Sequence, residues 1–551
     1  MLLDGRRAES RADWPGPEET RAASLAPALL VLVAALLGFT LLRQGTDFVA
    51  TQEPAHVWLW SALVGLLAAA FLPARYADMP VVGRRGLKAG TAFLAFYFLV
   101  EPFAIPYAAL EPGHPAVLFH QHARWAGLAL ALAGFWRPSP VFAAAMVLWM
   151  MRELQTALTG FYFSTLDIRN VAEVASFWAI GFTFIASGAR LSRVREAIGL
   201  HEPARYQAAL MILGAGLGAH LANYFWSAMA KLWLDGGPTS WLLGNRLYDG
   251  IPAALEKGTL PLAAFPAAVV ALDFALRWLA IPINLAAWIV QLSAIVAPWR
   301  RRWLIASVVA FDMFHLAVWF SLGLLFWKWV ALNMIILFTV AAVRDAEWGR
   351  TVKVTTFVFT VAGIGLFRTA TLAWYESPGF ASPYFVAEMK DGTRQRIPNA
   401  FFLSSSYQVS QGRIWWPGEA GHFHHSIWGS VLPHADLEAG RTCTPPEYDS
   451  PPEPLYGPPE AIGRFMQAQH RQMLARADDK GHATYYLVPH HHVPSPLIPD
   501  PFARADLRQV ARYAFVLDSV CLSLDGGKLK RRVLKRTYRP VYDAVNDRVL
   551  P

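Results

Sequence analysis

The sequence predicts a polytopic α-helical membrane protein of about eleven spans with a C-terminal soluble α+β domain. Three observations predict it. Of 551 residues, 55% are hydrophobic and 16% charged, with a mean hydropathy of +0.30, too apolar for a soluble chain of several domains. Apolar windows of about 20 residues, each long enough to cross a bilayer as a helix, recur from Ser24 to Tyr375. From Glu376 onward the chain turns rich in Pro, His and charge and has no such window. The formal charge of +9 lies largely in Arg and Lys beside apolar runs, where it orients a chain among membrane lipids; this argues against nucleic acid as a partner.

Residues 1–23, with Arg6, Arg7, Arg11 and Arg21 and no apolar core, have the composition of a cytoplasmic tail rather than a cleaved signal. Residues 24–375 form the membrane domain. Its first spans, Leu25 to Leu42 and Val57 to Ala74, are followed by the basic loop of Arg75, Arg84, Arg85 and Lys88, the positive-inside pattern. Arg137 and the group Arg190, Arg193, Arg195 and Arg205 keep the phase, so the span Ala208 to Trp233 emerges outside. Leu260 to Trp299 holds apolar sequence for two spans, yet Arg300 to Arg302 belongs inside; one crossing plus a bent or re-entrant segment at Pro282 satisfies both. Trp303 to Trp327, Val330 to Val343 and Val354 to Trp374 complete the set. Residues 376–551 are thereby delivered outside a multi-pass protein of the cell (inner) membrane.

In that last domain Tyr384 to Met389 alternates as a strand, and Lys390-Asp391-Gly392-Thr393 signals a hairpin into Arg394 to Ile397. Ile462 to Ala475 has amphipathic helical spacing, with Ile462, Phe465, Met466 and Met473 on one side. Tyr485 to Val488 and Val510 to Leu517 are expected strands, and Arg531 to Arg539 is a basic closing segment. Cys443 and Cys521 form one disulfide in an oxidising compartment or remain two thiols.

Ionisable residues inside spans cost roughly 2.5–3.5 kcal/mol on insertion scales, so each needs a partner or a purpose. Asp273 and Arg277, four apart, and Asp312 and His315, three apart, are spaced to pair on one helix face. Lys231 has no acid three or four residues before it. Instead His220, Asn223, Ser227 and Lys231 are spaced 3, 4 and 4, a polar stripe along one face of the helix. Such a stripe lines a cavity, where a desolvated lysine acts as a base near neutral pH; the alternative is a lysine snorkelling to outer headgroups.

The spacing of Tyr224-Phe225 and Lys231-Leu232, together with the block Phe314-His315 running through Ser321 and Gly323 to Trp327, resembles the vitamin K-dependent gamma-glutamyl carboxylase and its bacterial relatives, the horizontally transferred transmembrane domain proteins. The resemblance covers about residues 25–375. It implies that Lys231 matches the lysine that deprotonates reduced vitamin K, or another quinol, before a glutamate carbon is deprotonated and carboxylated in a protein or peptide substrate at the outer face. Lys231 and His315 are then the candidate catalytic residues. His220, Asn223, Ser227 and Asn170 are candidates for binding the quinol. The family's Asn-His pair departs here, because Val171 follows Asn170. A quinol-type ligand in the bundle is therefore better supported than carboxylation itself.

Two histidine clusters in the C-terminal domain allow a metal reading, with His422 and His424 sharing a strand face and His490 and His492 from the second cluster. No cysteine pairs frame them, and Pro489, Pro494 and Pro496 suit a surface loop equally. The alternative to an enzyme is a non-catalytic transporter, or an assembly and binding module whose outer domain recognises a partner.

Overall fold

The structure, a computed structural model, describes residues 25–551 apart from 102, 162–165, 188–191, 346, 413, 417–418, 426–429, 446–458, 485–491, 496 and 499. The expected tail and the expected strand Tyr485 to Val488 lie outside the described residues. The chain is mostly helical to residue 362, and a β-sheet region follows. Its principal helices are α1 (Leu25–Thr51), α2 (Val57–Ala70), α3 (Val81–Val100), α4 (Pro115–Ala133), α5 (Ser139–Thr159), α6 (Leu166–Ala186), α7 (Glu202–Leu232), α8 (Gly250–Glu256), α9 (Pro266–Trp278), α10 (Ala280–Leu292), α11 (Arg301–Leu322), α12 (Trp327–Val340) and α13 (Arg350–Ala362). Among the described residues, α1, α5, α7 and α11 are long and apolar enough to cross a membrane, and α9 with α10 makes a fifth if the bent pair is one span.

α7 is the axis of the bundle. Its glycines Gly214, Gly216 and Gly218 leave gaps between larger side chains where neighbouring helices approach its backbone closely. A Cβ on Gly218 would stand 2.5 Å from the Thr356 carbonyl oxygen of α13, a contact that only glycine allows. α1 behaves differently: it keeps Val31, Leu32, Ala35 and Phe39 inside and leaves Leu29, Leu30, Leu37 and Leu41 exposed.

The bend expected near Pro282 is present, but three residues earlier. α9 and α10 meet at 80° around Leu279. Pro282 sits in the first turn of α10, where its missing N–H costs nothing. The last expected span, Val354 to Trp374, is corrected by the structure. α13 ends at Ala362, and after a short turn Arg368–Trp374 runs without helix or strand. The segment is apolar in sequence, but other residues satisfy its backbone, so it does not need to be helical.

Charges placed inside apolar runs find one another. Arg169 pairs with Glu153 at 2.7 Å, Arg368 pairs with Asp47, and the Arg368 N–H donates to Glu173 at 3.0 Å. Asp273 and Arg277 pair as their spacing predicts, at 2.7 Å. Asp312 and His315 do not pair; other residues intervene, as described below.

The C-terminal sheet is antiparallel. Strands β1 (Tyr375–Glu376), β2 (Gly379–Met389), β3 (Arg394–Arg396), β4 (Ser430–Val431), β5 (Val510–Asp525), β6 (Lys528–Asp543) and β7 (Arg548–Val549) make a five-stranded sheet in the order β3-β2-β5-β6-β7 and a small β1-β4 pair. The hairpin after Met389 forms as expected, Gly392 taking the left-handed turn position at φ +86°. The amphipathic helix spans Pro459–Leu474 and buries Ile462, Phe465, Met466 and Met473. Arg531 to Arg539, read only as a basic segment, is the middle of β6, paired along its length with β5. Cys443 and Cys521 are joined in a disulfide, with Cα atoms 5.6 Å apart.

The sheet is seated on the helices through both apolar and ionic contacts. Ala104 and Phe161 enter the core formed by Phe385, Phe402, Phe465 and Phe515. Glu256, at the end of α8, meets Arg396 at 2.8 Å and Arg531 at 3.3 Å, while Asp518 meets Arg531 at 2.6 Å and Arg536 at 2.7 Å. Burial alone would raise the Glu256 carboxyl, but the two arginines hold it below its ordinary range.

Candidate functional site

The polar stripe on α7 has a structural use that the sequence does not show. Asn223 Oδ1 accepts from the Ala370 N–H at 2.7 Å, and Ser227 Oγ accepts from the Leu372 N–H at 2.9 Å. Lys231 Nζ donates to the Leu372 carbonyl at 2.9 Å, to Gln291 Oε1 of α10 at 2.9 Å and to the Ser227 carbonyl at 3.2 Å. Spacing of 3 and 4 on the helix thus grips Ala370 and Leu372, whose backbone groups would otherwise be orphaned. Lys231 does not snorkel: it is 6% exposed, its nitrogen lies 5.0 Å over the Trp241 ring, and among the described residues it forms no ion pair. Asp235 instead accepts from the His434 N–H at 2.9 Å.

A second polar group lies deeper. Asn333 of α12 donates through Nδ2 to Asp312 Oδ1 at 2.6 Å and to Tyr224 OH at 3.2 Å, while its Oδ1 accepts from His220 Nε2 at 2.6 Å. Tyr224 OH accepts from Asn333 and lies 2.9 Å from His315 Nε2, the acceptor available to its own proton. The direction of these bonds fixes the imidazole: His315 Nε2 is the acceptor, so Nδ1 carries the proton. That Nδ1 is buried and has no hydrogen-bond partner among the described residues. Asn333 takes Asp312 away from its expected partner because it offers an amide donor with no helix distortion. Tyr224 also stacks on Phe311 at 3.7 Å, which fixes the ring that presents the hydroxyl.

Both groups contribute to one open cavity of about 830 Å3, lined by α7, α9, α10, α11, α12 and the 372–376 segment. Its walls are mainly Leu, Ile, Val, Ala, Phe and Met side chains. Lys231, His315, Tyr224, Asn223, Ser227, Gln291, Trp329 and Glu376 supply the polar points. The volume falls within the range of about 300–1,000 Å3 typical of small-molecule sites. No family model, no curated protein and no solved structure matches this chain. The chemistry of the site therefore rests on its geometry.

Of the residues singled out in the sequence, Lys231, His315, Asn223 and Ser227 come together on this cavity. His220 is fully buried behind Tyr224, acts on Asn333 and does not line it. Asn170 is buried on α6 and does not line it either. Sequence reasoning missed Asn333, Gln291 and Glu376. Asn333 could have been flagged as a lone amide in the apolar run Ala331 to Val340; Glu376 was hidden by standing at the change of composition.

The metal expectation finds no support among the described residues, where no group of three or more His, Cys, Asp or Glu side chains converges. His422 has both ring nitrogens on hydroxyls, Ser519 and Thr537, each at 2.9 Å. His492 bonds Ser410 at 2.7 Å and Gln411 at 2.7 Å. These are core histidines held by neutral partners. His424 is half-buried, away from either, and His490 lies outside the described residues.

Proposed function

We propose that the protein is an integral membrane enzyme that takes a quinol-type, lipid-soluble ring at this cavity, with Lys231 as base, in the manner of the carboxylase class it resembles. One observation carries the reading: a lysine nitrogen with neutral acceptors only and the His315 imidazole both line a single, mostly apolar cavity. Apolar walls favour a hydrocarbon ring over water. Lys231 and His315 Nδ1 are suited to two ring oxygens. Of the three Lys231 bonds, the one to Gln291 is made to a side chain rather than to the backbone and is the one a ligand hydroxyl displaces. Tyr224, itself held by Asn333, fixes the His315 ring at the cavity wall.

The finer topology belongs to the same proposal. Eleven crossings result if α1 to α7, the bent α9–α10 pair, α11, α12 and α13 each cross once. The disulfide suits an oxidising compartment for the sheet domain, and exposed Leu29, Leu37 and Leu41 suit lipid.

The test is a titration of the full-length protein with menadiol, a short naphthoquinol, under anaerobic conditions, following tryptophan fluorescence. Trp241, Trp329 and Trp374 line the cavity and report its occupation. Saturable quenching, weakened at least tenfold in Lys231→Ala, is expected. Absence of saturable quenching overturns the reading.

A further inference from the structure

Glu376 lines the same cavity and is 4% exposed, yet the proposed chemistry leaves it unused. Its setting differs from that of three other buried acids. Glu256, Asp518 and Glu101 each meet an arginine. Glu376 meets no cation among the described residues: Oε1 accepts from Trp374 Nε1 at 2.7 Å, and its backbone N–H donates to Asn245 Oδ1 at 2.8 Å. Its Oε2 lies 3.6 Å from where a Cβ on Gly250 would stand, and Gly250 directly follows Asp249.

Asp249 is buried too, and its Oδ2 has no hydrogen-bond partner among the described residues. Burial raises the Glu376 carboxyl to about 8, and the charge of Asp249 adds to the rise. Burial raises Asp249 to about 7 against the pull of Arg246, Arg277 and Arg441, with Asp273 opposing them. Those three arginines line a second, more polar cavity of about 410 Å3, and Asn245 lines both cavities.

We propose that Glu376 and Asp249 form a proton path between the Lys231 cavity and the arginine-lined cavity. A carboxyl buried without a counter-charge is stable as the acid, so Glu376 holds a proton at the cavity wall. Each transfer breaks one O–H bond and makes another on the neighbouring carboxylate, and no electron moves. The three arginines favour the carboxylate form of Asp249 and themselves line the polar cavity, so Asp249, behind that wall and between Tyr248 and Gly250, is the step from which a proton is released toward it, and the path runs equally in reverse. The role rests on the quinol reading, since a ligand that releases hydroxyl protons into apolar walls needs an outlet other than Lys231.

The experiment is infrared spectroscopy of the full-length protein in lipid nanodiscs, without ligand, during transfer from H2O to D2O at pH 7. A protonated-carboxyl C=O band is expected, absent from Glu376→Gln, which shifts promptly in D2O. Asp249→Asn should keep that band and slow its shift at least tenfold. No such band, or an unchanged exchange rate in Asp249→Asn, overturns the path. Should Glu376→Gln fail to fold, Glu376→Asp, which keeps a carboxyl and moves its band, makes the same assignment, and an unmoved band there overturns the path. Slowed exchange in a protein that shows no menadiol quenching would keep the path and remove the quinol reading.

Discussion

Lys231 serves two ends, and one pair of substitutions separates them. Lys231→Ala removes the donor to the Leu372 carbonyl and to Gln291 Oε1, both in buried surroundings. Leaving a buried acceptor without a donor costs about 1–3 kcal/mol, so two of them cost roughly 2–6 kcal/mol. Loss of activity in this variant would therefore follow from a loosened 368–374 segment as readily as from a missing base. Lys231→Arg keeps the charge and offers donors to both acceptors, but a guanidinium does not surrender its proton. The assay is protein-dependent menadiol consumption in air, corrected for the protein-free rate, beside a melting curve from intrinsic fluorescence. Lys231→Ala should lower both melting and turnover; Lys231→Arg should restore most of the melting and none of the turnover. Turnover retained in Lys231→Arg would refute the base and leave Lys231 as a latch on the Leu372 carbonyl.

Asn223→Ala orphans the Ala370 N–H and should destabilise the protein by about 1–3 kcal/mol, read as faster amide exchange across 368–374. The C-terminal sheet should be acid-labile. Burial holds the His422, His425 and His470 rings down at about 4, against 6.5 when unfolded. A histidine with a depressed folded value binds its proton better unfolded, so stability is full above about pH 6.5 and falls as pH drops through 4, by at most about 3 kcal/mol per ring. Hydrogen exchange in β5 and β6 of the full-length protein at pH 7 and pH 4.5 checks this; equal protection would contradict it. Reducing Cys443–Cys521, which closes a 78-residue separation, should cost about 4 kcal/mol and appear as a lower melting temperature under reductant.

The mostly helical character and the C-terminal sheet were legible in composition, and the α7 stripe was legible in its spacing. What the stripe holds was not. Its partners, Ala370 and Leu372, lie some 140 positions away in a run apolar enough to read as a span, and hydropathy does not distinguish a helix from a segment whose backbone is satisfied by someone else's side chains. β6 was hidden for a related reason. Lys530, Arg531, Arg532, Lys535 and Arg536 give no apolar alternation; on the folded sheet Arg536 stands directly opposite Asp518 of β5, and Arg531, opposite Leu522, reaches the same carboxylate. The spacing of Asp312 and His315 predicted a local pair, but Asn333 and Tyr224, from other helices, take Asp312 and His315 respectively.

In mechanical terms, Arg368–Trp374 is a strut. Asn223, Ser227 and Lys231 clamp one end, and the other continues directly into β1 and β2. Leu372, whose carbonyl holds Lys231, and Glu376, the first acid beyond it, are four residues apart, a reach of at most about 14 Å. With slack that short, a pull on the sheet arrives at Lys231 as a displacement of the Leu372 carbonyl. The sheet domain and the lysine are joined by one short piece of chain.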